Sequence, residues 1–200
     1  MIKKYSSSRA LHLLAVGSVV EFFSFYLLFF PVIQVAEPAI LLLGVLISLL
    51  ALYRLQKNDP IFKLPLLFKA ASAGLSALLM LLQYIYVVSG ILGKICYSLD
   101  SLLDLACIYM VCSCIGMRAP EMTEKKRNTV CTLNAMSSLC YIFLFWNEHP
   151  LAEAVFTLSF MALNILARIK YYLFLQKAEA CPVFLSGKTP DLPAPQQQWP

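Results

Sequence analysis

Charge is scarce in this chain, and histidine is scarcer. Asp, Glu, Lys and Arg make up 14% of its 200 residues, and the histidines are two, His12 and His149. A soluble domain carries about 25% charged residues. Neither histidine falls at the middle of an apolar run, so a bis-His haem held within a helical bundle is not expected. His-Glu-x-x-His is absent, which removes that class of zinc protease. Gly-x-Ser-x-Gly and Gly-x-x-x-x-Gly-Lys are also absent, which leaves no hydrolase elbow and no nucleotide-phosphate loop. A transporter of this sequence could not power itself.

The cysteines number seven, with no Cys-x-x-Cys among them. Cys112-Ser113-Cys114 is too tight for the usual zinc pair, and no His or Cys completes a ligand set. Most of the thiols lie in or at apolar runs, where free Cys behaves as a small hydrophobe. No metal, no cofactor and no disulfide are expected.

Apolar residues fill the space that charge leaves. They make up 60% of the chain, and mean hydropathy is +0.74. They come in blocks near the roughly 20 helical residues that cross a bilayer: 11–30, 38–53, 66–88, 95–115, 130–146 and 151–173. Six such blocks leave no room for a second globular domain. The expected fold is all-α, a polytopic integral membrane bundle of six transmembrane helices. Residues 1–10 are read as a cytoplasmic N-terminus, 11–177 as the membrane domain and 178–200 as a disordered, Pro-rich cytoplasmic tail. The first block outruns the apolar stretch of a cleaved signal peptide, about 7–15 residues, and no Ala-x-Ala site follows it. It is therefore expected to stay as the first span.

Basic residues set the expected orientation, because cytoplasmic loops are enriched in Lys and Arg. Lys3, Lys4 and Arg9 precede the first span. Arg54, Lys57, Lys63 and Lys69 fall between the second and third. Arg118, Lys125, Lys126 and Arg127 fall between the fourth and fifth, and Arg168, Lys170, Lys177 and Lys188 close the chain. With six spans only Lys94 lands on the opposite face, beside Glu37, Glu148 and Glu153. Both termini are thus expected in the cytoplasm, with the plasma membrane as the host. The net charge of +5 is read as topology and lipid-headgroup contact rather than nucleic-acid binding.

Three acids fall inside spans. Glu21 lies midway along the first, and Asp100 and Asp104 share a face of the fourth at a spacing of four. A charge at the bilayer centre costs about 2.5–3.5 kcal/mol on insertion scales. Such acids must be buried against partners, protonated or hydrated. The sequence offers them no cation at the same depth: Lys69 and Arg168 are expected at cytoplasmic span ends, snorkelling outward. Gln83, Asn134 and Asn164 are the amides within spans, suited to hydrogen bonds between helices, and Asn164 is the most central. In the third span Ala70, Ala73, Gly74 and Ala77 form a small-residue surface that lets helices approach closely, within the bundle or against a partner subunit.

Three functions follow as expectations. The first is a small-solute, ion- or proton-linked transport or solute-binding component, with Glu21, Asp100, Asp104, Asn164, Gln83 and Asn134 around a polar cavity. The second is a non-catalytic accessory or scaffold subunit docking a membrane partner through the small-residue face. The third is a lipid-modifying enzyme with Asp100 and Asp104 as acid and base. It ranks last because no nucleophile–base pair or metal cluster accompanies them. In length and span count alone the chain is similar to the six-helix substrate-binding subunits of vitamin uptake systems. No motif supports that likeness. The expected partners are the lipid bilayer, a small solute or cation, and a membrane subunit.

Overall fold

The computed structural model describes residues 7–27, 37–85, 90–120, 122, 124–147 and 149–186. These residues are almost wholly helical: α1 (Ser7–Leu27), α2 (Glu37–Asn58), α3 (Lys63–Ile85), α4 (Ile91–Arg118), α5 (Glu124–Trp146), α6 (Pro150–Glu179) and a short α7 (Pro182–Ser186). Helices are what hydrocarbon demands, since every backbone N–H and C=O must find its partner within the segment. The breaks are local. Asp59 caps a 3₁₀ turn at Pro60–Phe62, its Oδ1 accepting the Ile61 N–H at 3.2 Å. Gly90 takes the left-handed region at φ 91° just before α4. Pro150 opens α6, where its missing N–H costs nothing.

Each of α1 to α6 packs on its neighbours in sequence, and α6 returns to α1, so the six close into a ring. Their directions alternate. At one end of the ring Asn58, the last residue of α2, donates to Ser7 Oγ at 3.3 Å. His12 near the start of α1 meets Glu179 at the end of α6, 3.2 Å apart. At the other end Trp146 Nε1, closing α5, donates to Ser98 Oγ near the start of α4 at 3.0 Å.

Four helical segments are long and apolar enough to cross a membrane: Pro38–Asn58, Pro60–Leu81, Ile91–Arg118 and Pro150–Glu179. The protein is therefore a helical membrane protein. Two of the six expected spans fall short of that measure over their described residues. Arg9, His12 and Glu21 dilute α1, and α5 opens on Glu124, Lys125, Lys126 and Arg127. Both nonetheless take full places in the ring.

Polarity runs from inside to outside in the reverse of a soluble protein. Leu42, Leu43, Leu46 and Leu50 of α2, Leu67, Leu78 and Leu81 of α3, and Leu158, Leu166 and Ile169 of α6 are exposed, a surface matched to lipid chains. The buried apolar core gathers toward the end that holds Ser7 and Glu179. Leu11, Leu52, Leu55, Phe62, Val111, Ile115, Phe174 and Leu175 form it.

The chain's last quarter departs from expectation. Helix α6 continues to Glu179, and Ala178, Cys181 and Phe184 are buried in the core. The stretch 178–186 is thus part of the packed domain, because an apolar Phe and Cys at helical spacing have a core to enter. Residues 187–200 of the expected tail lie outside the described residues.

Candidate functional site: an ion-paired cavity inside the ring

The three acids expected inside spans meet. A cavity of about 230 Å³ inside the ring is lined by Glu21, Asp100 and Asp104, and also by Asn134 and Asn164. All six helices of the ring contribute to its wall. From four of them the lining residues form stripes at helical spacing. Lys69, Ser72, Ala73 and Ser76 come from α3, and Asp100, Asp104 and Ile108 from α4. Asn134, Ser137, Ser138 and Tyr141 come from α5, and Phe160, Asn164 and Arg168 from α6. Steps of three and four residues put each set on one face.

The expectation that the acids lack cations is overturned. Lys69 turns inward, and its Nζ donates to Glu21 Oε2 at 2.7 Å and to Asp104 Oδ1 at 2.9 Å. Its side chain is 8% exposed. Arg168 also turns inward and donates through Nη2 to Asp104 Oδ2 at 2.9 Å. A long side chain near a span end can reach either the interface or the interior. Here two uncompensated carboxylates inside the ring outweigh the solvation gained by snorkelling, since an isolated buried charge is the costlier arrangement.

Glu21 is held from a second side by α2. Ser48 Oγ donates to Glu21 Oε1 at 2.7 Å. Two glycines bring the helices close enough for this bond. A Cβ on Gly17 would come 2.5 Å from Ser48 Oγ, and one on Gly44 would come 2.7 Å from the Glu21 backbone nitrogen. Gly17 with Glu21 and Gly44 with Ser48 are pairs at a spacing of four, meeting face to face across antiparallel helices.

Asp100 stands apart. Ser72 Oγ donates to its Oδ1 at 2.7 Å and Ser76 Oγ to its Oδ2 at 2.9 Å. Among the described residues it makes no ion pair. With all groups ionised, three carboxylates face two cations, and the cavity carries one excess negative charge located on Asp100.

The amides divide. Asn134 donates through Nδ2 to the Val130 carbonyl of its own helix at 2.9 Å, so that bond joins no two helices. Asn164 is buried and lines the cavity, and among the described residues its side chain makes no hydrogen bond. Gln83 lies on α3, but its side chain lies outside the described residues. The small-residue surface also divides. Ala70, Gly74 and Ala77 are exposed, and a Cβ on Gly74 would meet nothing within 4 Å. Ala73 faces the cavity. Within the ring, a close helix approach is made between α1 and α2, at Gly17 and Gly44.

Sequence reasoning missed Lys69, Arg168, Ser48, Ser72, Ser76, Ser137 and Tyr141 as site residues. One signal was available: polar residues recurring at 134, 137, 138 and 141 trace one face of an otherwise apolar helix. No group of three or more His, Cys, Asp or Glu with metal-holding geometry occurs among the described residues. Comparison with protein-family models, curated proteins and solved structures gives no match.

Proposed function

We propose that the protein is a six-span membrane protein that binds a small polar solute inside its helical ring, as a transport or solute-binding component. One observation carries this reading. Glu21 on α1 and Asp100 and Asp104 on α4 open onto one cavity that Asn164 and Ser137 also line, neither with a side-chain hydrogen bond among the described residues. Acids serving only as helix glue would scatter toward separate partners. Polar groups gathered around a space inside a membrane bundle are the usual form of a solute site.

The proposed orientation places both termini in the cytoplasm, in the plasma membrane. The meeting of His12 with Glu179 supports an even number of crossings. Gathering of Arg54, Lys57, Arg118, Lys125, Lys126 and Lys177 toward that same end supports the cytoplasmic assignment.

The test is a comparison of solutes co-purifying with the wild-type protein and with Asn164→Leu, which fills the cavity with a branched apolar side chain. A solute found by mass spectrometry with the wild type and lost from the variant supports the reading. Identical solute profiles from two equally folded preparations overturn it.

A second reading is an accessory subunit that docks a membrane partner on α3. Exposure of Ala70, Gly74 and Ala77 on the outer surface favours it, since small residues let a second helix approach. Gly74→Leu would then release a partner that stays with the wild type through purification. The lipid-enzyme reading loses support, because Asp104 is already engaged by Lys69 and Arg168.

A further inference from the structure

The charge count in the cavity bears on what it binds. Lys69 and Arg168 offset Glu21 and Asp104, while Asp100 holds only hydroxyl donors. A hydroxyl stabilises a carboxylate but does not neutralise it. When Asp100 is ionised, the remaining negative charge calls for one positive charge from outside the protein.

A second observation is independent of the acids. Asn164 is 9% exposed and Ser137 is 5% exposed; both line the cavity, and among the described residues neither side chain makes a hydrogen bond. Two polar side chains that open onto one cavity wall, from α6 and α5, offer places for a ligand's polar atoms or for water. The wall also holds an aromatic pair, Tyr141 and Phe160, with ring centroids 5.0 Å apart.

Resting on the solute-binding reading above, we propose that the cavity takes a small organic monocation, a protonated primary amine. Its ammonium group sits at Asp100, and its hydrocarbon body lies along Tyr141 and Phe160. An ammonium carries three N–H donors, and Asp100, Asn164 Oδ1 and Ser137 Oγ are acceptors on the same cavity. Aromatic faces attract cations and cover apolar carbon. An anion would meet Asp100 and Asp104 while the cations on the described wall, Lys69 and Arg168, are already paired, and a neutral solute would leave an ionised Asp100 uncompensated. The volume also limits size: at about 30 Å³ per water, the space of about 230 Å³ equals about eight waters, the scale of a small amine.

The experiment is calorimetry on the full-length protein in lipid nanodiscs. The probes are phenethylammonium chloride, its neutral isostere 2-phenylethanol, the anion 3-phenylpropionate, and sodium chloride alone. Phenethylammonium is expected to bind at least tenfold more tightly than 2-phenylethanol. Asp100→Asn, which retains partners for Ser72 and Ser76, should weaken the amine at least tenfold and leave the alcohol unchanged. Equal affinity for amine and alcohol, preferential binding of the carboxylate, or heat from sodium alone would each overturn the amine class. So would silence from phenethylammonium, butylammonium and methylammonium up to about 10 mM. The probe comparison within the wild type needs no variant to fold. The solute-binding reading itself stands or falls on the co-purification test, so the two failures are distinct.

Discussion

Lys69 Nζ lies 2.7 Å from Glu21 Oε2, joining residues 48 positions apart in sequence. The same ammonium lies 2.9 Å from Asp104, so one lysine ties α3 to both α1 and α4. Removing it leaves two buried carboxylates with Arg168 as their shared counter-charge. Lys69→Met is expected to destabilise the protein by about 3–5 kcal/mol, the usual cost of breaking a buried pair from one side. The double variant Lys69→Met/Glu21→Gln should recover part of that loss, because it removes the orphaned charge too. Unfolding in mild detergent, followed by circular dichroism through a denaturant series, measures both. Additive losses would show that the pair is uncoupled.

Gly17 and Gly44 set how closely α1 and α2 approach. A Cβ on Gly44 would stand 2.7 Å from the Glu21 backbone nitrogen and 2.8 Å from its Cγ. Gly44→Ala is expected to cost about 1–3 kcal/mol through overpacking, and to lengthen the Ser48–Glu21 bond. Gly74→Ala, where nothing lies within 4 Å, should be neutral or stabilising. Thermal unfolding of the two variants side by side decides; equal losses would refute the close approach.

Arg118 anchors the turn after α2. Its Nε and Nη2 grip both carboxylate oxygens of Asp59, with Nη2 to Oδ1 at 2.7 Å, and both residues are buried. Arg118→Lys keeps the charge but loses the fork, so a loss of about 1.5–3 kcal/mol is expected. Limited proteolysis should show cleavage near residues 59–62 before global unfolding. Unchanged protection there would mean that the pair does not hold the turn.

Sidedness can be read by labelling single cysteines in a background without native ones. Cysteines placed at Lys57, Lys125 and Lys177 should react with an impermeant reagent from the cytoplasmic face alone, and one at Lys94 from the outer face alone. Lys57 and Lys125 on opposite faces would break the six-span topology.

Some of this was legible in the residues. Helix type and approximate ends followed from the lengths of the apolar blocks. The acids stood out because carboxylates are costly in apolar segments. The convergence of Asp100 and Asp104 followed from their spacing of four on one helix. Glu21 joining them did not follow, since it lies on another helix and depends on how the ring closes. The glycines at 17 and 44 looked like ordinary span residues, because only their opposing partners show why a side chain is excluded.

What the sequence determined alone is the solvent and the period: long apolar blocks with few charges must be helices in hydrocarbon, and the spacing of polar residues fixes which of them share a face. The tertiary structure alone decided the pairing. Lys69 and Arg168 have flexible stems that could reach a headgroup as readily as the interior. Only the ring places Glu21 and Asp104 within 2.9 Å of their charged nitrogens. A side chain's direction there is set by the nearest opposite charge in space, and the order of residues along a chain does not contain that distance.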